Sequence, residues 1–205
     1  MSNAKPRTQT ITIAPCRMPP IPKEKMTEAQ KKAAAGIEAG PRGGVMGPFV
    51  AILRSPGLTE HAQRLGAYIR WECKLDLRIA ELAGLMTARF WQQQYEFFVH
   101  IPHALKAGVA QATIDAIAEG RRPDSMPADE AITWEFVSEF YANKAVSDTT
   151  YAKALAQFGD ESLMDLLGVM GYYSMIAMVM NVARTEIPDG KPLPLAPLQD
   201  HVVRS

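Results

Sequence analysis

Residues 91–108 read WQQQYEFFVHIPHALKAG, and this stretch decides the fold. Phe97, Phe98, Ile101, Ala104 and Leu105 recur at helical spacing, and Gly108 stands where a left-handed residue commonly ends a helix. The pattern predicts a helix over about 92–107 with one apolar face. Beside that face runs a polar stripe. At 100° per residue, Glu96 and His100 lie nearly above one another, with Gln93 and His103 inside the same arc of about 80°. A carboxylate beside an imidazole fixes the ring's tautomer and favours its charged form, which suits proton transfer near neutral pH. The same spacing also fits an ordinary ion pair on a solvated edge. Glu96, His100 and His103 are ligand types as well, but no motif fixes a set, so no metal is expected. Pro102 removes one donor and frees the Phe98 carbonyl, which predicts a bend before His103.

Working outward, the punctuation is helical throughout. Thr27 and Gln30 form a capping box that opens a short helix, ended by Gly36 or Gly40. Pro41 to Pro48 reads as a glycine-rich turn. Ser55-Pro56 starts a helix running to about Trp71. Asp76 caps the next, which carries Ile79, Leu82, Ala83, Leu85 and Met86. A short helix spans about Gln111 to Glu119 before Gly120. Others follow at about 127–143, 149–158 and 161–183, with Asp148 and Asp160 as caps and Gly159 between the last two. No segment sustains the period-two alternation of a strand, so the fold class is all-α. Residues 1–26 and 187–205 are proline-rich and read as extended arms around a helical domain at 27–186.

Composition narrows the function classes. The chain has 205 residues, of which 47% are apolar, enough for one sizeable core. Lys plus Arg and Asp plus Glu number 22 each. That balance gives no footprint for nucleic acid or an anionic membrane. Leu166 to Ala183 carries no charge, but its glycines, tyrosines and Asn181 fit a buried helix better than a membrane span. That segment and the two arms predict a homo-oligomer in which arms wrap a neighbour. Cys16 and Cys73 are far apart and form no C-x-x-C pair. With no apolar leader at the N-terminus, a reducing cytoplasm is the expected location.

Four segments carry a resemblance. These are Gly47 to Pro56 (GPFVAILRSP), Leu77 to Ala83 (LRIAELA), Trp91 to His100 (WQQQYEFFVH) and Ala104 to Val109 (ALKAGV). In this order and spacing, over about residues 45–183, they resemble the carboxymuconolactone decarboxylase family. The resemblance implies an alkylhydroperoxidase D-like helical bundle. Thiol enzymes of that superfamily have a glutamate, a C-x-x-C pair twelve residues on, and a histidine four residues after the second cysteine. Here those positions hold Glu81, Gln93, Glu96 and His100, so the acid and histidine remain while both thiols are absent. Peroxide reduction by a dithiol needs a thiolate and a resolving thiol, and this departure removes that chemistry.

What the resemblance then implies is acid–base work without a cofactor, on a small carboxylated or lactone substrate. Loss of CO₂ would leave charge that a lactone carbonyl can absorb, and an acid would protonate carbon. His100 would move the proton, Glu96 would orient it or share the proton, and Glu81 would complete the site. Gln93 would donate its amide to a substrate oxygen. Arg54 or Arg89 would hold the substrate carboxylate, although a structural salt bridge is the commoner use of either. Phe49, Trp91, Tyr95 and His103 are further lining candidates. The competing expectations are a non-catalytic oligomeric binding protein of the same fold, and peroxiredoxin-type activity, which the missing C-x-x-C disfavours.

Overall fold

The computed structural model describes residues 12–188, 191–197 and 202–203. The outer parts of both predicted arms, including residues 1–11, lie outside the described residues. Eight helices are present among those described: α1 (Glu28–Glu38), α2 (Pro48–Ile52), α3 (Pro56–Ala67), α4 (Leu77–Phe90), α5 (Gln94–Ala107), α6 (Gln111–Glu119), α7 (Ala128–Asn143) and α8 (Asp148–Ala183).

The centre of the molecule is α4. Every residue from Ile79 to Ala88 is buried, so this helix is covered on all sides. It is wrapped by α5, α6, α7 and α8. Leu82, Leu85, Phe97, Ile114, Val137, Leu166 and Val169 form the main core between them. A smaller cluster of Ile37, Phe49 and Ala62 joins α1, α2 and α3. Among the described residues α8 alone is long and apolar enough to cross a membrane by length and composition. Of its apolar window, 50% is buried inside the fold.

Most helix boundaries follow the local signals. Thr27 and Gln30 make the reciprocal capping box, the Asp76 carboxylate accepts from the Arg78 N–H, and Gly108 and Gly120 close α5 and α6 in left-handed backbone. Other boundaries differ from expectation. The glycine-rich turn ends in α2, because Gly47 at φ 56° reverses the chain and Pro48 begins a helix without losing a needed donor. The helix expected to reach Trp71 instead changes at Tyr68–Glu72 into a π turn, closed by the Cys73 N–H on the Tyr68 carbonyl at 2.9 Å. Helix α5 starts at Gln94 because Gln92 takes a left-handed conformation, φ 50°. Pro102 lies inside α5 without ending it. Ser147, not Asp148, caps α8, its hydroxyl accepting from the Thr150 N–H. Gly159, φ 72° and ψ 171°, is non-helical and divides α8 into two helical parts at the place expected to separate two helices.

The arms are more ordered than their prolines suggest. Lys23–Lys25 form a 3₁₀ turn. Two-residue strands β1 (Thr12–Ile13) and β2 (Val202–Val203) pair antiparallel, Thr12 with Val203. Leu195 is buried in the main core, and the Gln94 side chain clasps its backbone, donating to the Leu195 carbonyl at 2.8 Å and accepting from its N–H at 3.0 Å. This part of the C-terminal arm docks on its own α5.

Candidate active site

A cavity of about 590 Å³ opens between α2, the π turn, α4, α5 and α8. That volume suits a small organic molecule. Glu81, Tyr95, Glu96, His100, His103 and Phe49 all line it. Six of the ten expected site residues therefore meet in one place.

Glu81 comes from the middle of α4 and is 4% exposed, and His100 comes from α5 and is 5% exposed. The His100 Nδ1 lies 2.6 Å from the Glu81 Oε2. The alternative of a solvated pair within one helix is not what forms: His100 pairs across to the neighbouring helix, and both groups are buried. Burial pushes the Glu81 carboxyl up. The His100 hydrogen bond and the positive charge of His100 and Arg70 outweigh it, and the group sits below its ordinary value. The edge of the His100 ring also meets Tyr173, ring centres 4.8 Å apart. With Nδ1 held by Glu81, Nε2 has no protein partner among the described residues.

Glu96 makes no hydrogen bond to His100. It is the third residue of α5, and its backbone N–H is capped by the Gln93 Oε1 at 2.9 Å. The reciprocal half of a capping box is missing, because the Gln93 N–H already donates to the Ala88 carbonyl at 2.8 Å. The Glu96 side chain is left with both oxygens buried and no hydrogen-bond partner. Burial holds its carboxyl well above the ordinary value. An unpaired carboxylate in such a setting is disfavoured, so burial favours the protonated form of Glu96.

Four expected residues lie elsewhere. Gln93 is the α5 cap and also donates to the Asn181 Oδ1 at 3.3 Å, so its amide serves the fold. The Trp91 carbonyl accepts from the Asn181 Nδ2 at 2.8 Å, outside the cavity. Arg54 donates to the Val50 and Pro19 carbonyls and holds the N-terminal arm. Arg89 donates from Nε to the Ala118 carbonyl at 3.0 Å, near the end of α6. The cations that do line the cavity are Arg42, Arg70 and Lys106. Sequence reasoning missed them. The one available signal was an arginine, Arg42, inside the glycine-rich turn. It also missed Tyr172 and Tyr173, adjacent on the uncharged segment of α8.

No cysteine lines the cavity. Cys73 is partly buried, its thiol meeting the Ile69 carbonyl and raised first by burial. Among the described residues no group of three His, Cys, Asp or Glu is arranged to hold a metal.

No family model matches the chain, and no curated protein is similar to it in sequence. Among solved structures it is similar to a protein of unknown function from Agrobacterium tumefaciens, suggested to be the antioxidant defence protein AhpD. The TM-score is 0.60 at 16% identity, over 67% of this chain and 94% of that one. The likeness shows the fold: an all-helical, alkylhydroperoxidase D-like architecture.

Proposed function

We propose that the protein is an acid–base lyase, a decarboxylase or related proton-transfer enzyme needing no cofactor, acting on a small carboxylated or lactone substrate. The observation that carries this is the buried Glu81–His100 pair opening onto the same cavity as an unpaired Glu96 whose protonated form burial favours. Two carboxyl groups in one site held in opposite protonation states suit acid–base division of labour.

In this reading the bond between a carboxylate and a carbon conjugated to a carbonyl breaks. CO₂ leaves, and the bonding electrons move onto the carbonyl oxygen as an enolate. The Glu96 O–H donates a hydrogen bond to that oxygen as its charge grows. Protonated His100 then delivers its Nε2 proton to carbon, and Glu81 steadies the imidazolium and its orientation. Each turnover consumes one proton, regained from solvent. No thiol takes part, which sets this reading against a dithiol peroxidase.

The test is CO₂ release from a panel of small carboxylated enol lactones in deuterated water, with incorporation followed by NMR. Turnover with one deuterium placed on carbon is expected. It should fall roughly 10²–10⁴-fold in His100→Gln and in Glu81→Gln. The double variant Cys16→Ser, Cys73→Ser should keep it. Turnover undiminished in folded His100→Gln would overturn the proposal.

A further inference from the structure

Arg42 and Arg70 share a feature that the acid–base reading does not use. Both line the cavity, both are partly exposed, and neither forms an ion pair among the described residues. Arg42 donates from Nη2 to the Tyr172 hydroxyl at 3.2 Å, while its Nε is buried with no acceptor. Its guanidinium stacks 4.6 Å from the Phe49 ring centre and 5.6 Å from that of Trp71. Arg70 lies 5.2 Å from the same Trp71 ring. The two cations are thus gathered around one indole.

The backbone accommodates this arrangement. Gly66 on α3 is buried, and a Cβ there would collide with the Arg42 Nη2 and the Tyr172 hydroxyl. Arg70 is carried by the π turn, an irregularity often found at functional sites. The lining holds Arg42, Arg70 and Lys106 against Glu81, already engaged by His100, and Glu96, whose burial without a partner favours its uncharged form. A chain balanced at 22 charges of each sign therefore has a cavity biased towards anions. Guanidinium groups donate two parallel hydrogen bonds to a carboxylate. The walls behind them, Phe49, Ile176 and Met180, are apolar and suit a hydrocarbon body, not a bare inorganic ion.

We propose that Arg42 and Arg70 form an anion clamp in the cavity wall that takes the carboxylate of a small organic acid, with its apolar body directed to His100 and Glu96. This rests on the reading of the cavity as the substrate site and specifies the end at which the substrate's charge is held. The carboxylate so held is an anchor, distinct from any group lost in the reaction.

The test is calorimetric binding of benzoate and of its uncharged isostere benzamide to the wild-type protein, Arg70→Gln and Arg42→Lys, with inorganic phosphate as competitor. Benzoate is expected to bind the wild type more tightly than benzamide. Arg70→Gln should weaken benzoate about 10- to 100-fold and leave benzamide nearly unchanged. Arg42→Lys keeps the charge but loses the fork, and should weaken benzoate less. Benzoate binding no tighter than benzamide in the wild type overturns the proposal without any variant. So does a preference that survives in both variants, or displacement of benzoate by phosphate at equal concentration. Binding is read apart from turnover. Clamped benzoate in a protein without proton-transfer activity would sink the function and leave the clamp standing.

Discussion

Glu96 owes its state to one neighbour. Because the Gln93 N–H is spent on the Ala88 carbonyl, the Glu96 carboxyl has no backbone donor to reach for, and it stays buried and unpaired. This has a pH signature. Its value in the folded protein is raised by burial, so above the ordinary glutamate value the native state holds a proton that the unfolded chain has lost. Stability therefore falls as pH rises through that window. Glu96→Gln keeps the shape and cannot ionise. Urea unfolding between about pH 5 and about pH 8 should show the variant gaining on the wild type as pH rises, by up to about 1.4 kcal/mol per pH unit. A gap that is flat with pH would mean Glu96 is ionised in the fold.

The helices are joined at one other costly point. Arg78, at the start of α4, meets Asp129 at 2.5 Å and Glu130 at 2.6 Å, both at the start of α7, and Glu130 is 2% exposed. Arg78→Met would strand that buried carboxylate, at a cost of about 3–5 kcal/mol. Adding Glu130→Gln should recover much of the loss in a urea titration, and failure to recover any would show that packing of the arginine stem matters more than its charge. Such links explain what the sequence could reveal. Helix ends were readable because caps are local: Thr27 with Gln30, Asp76 with Arg78, Gly108 and Gly120 all act within a few residues. The polar stripe on α5 was readable for the same reason. The partner of His100 was not, because the choice between Glu96 and Glu81 depends on how α4 packs against α5. Nor could composition separate Arg54 and Arg89, which tie backbone carbonyls, from Arg42 and Arg70, which reach the cavity. The π turn at Tyr68–Glu72 leaves no periodic signal of its own, and it is what carries Arg70 and Trp71.

At the scale of the molecule, the outer face of α8 is unfinished. Met164, Gly171, Met178 and Val182, spaced by seven, seven and four residues, are exposed along one side, and a Cβ on Gly171 would meet open space. An uncharged stripe at helical spacing calls for a partner surface, and a second copy of the same face is the simplest. Sedimentation at micromolar concentration should give an assembly that Met178→Glu dissociates. A wild-type protein that sediments as a monomer would overturn this expectation. The pairing of Thr12 with Val203 has a different consequence. It brings residues 12–13 and 202–203 side by side and so makes the described fold, spatially, a closed ring. The linear order of the helices is then incidental to the cavity. A circularly permuted chain, joined across those strands and opened in the exposed turn at Asp124 and Ser125, would keep every contact that surrounds Glu81, Glu96 and His100.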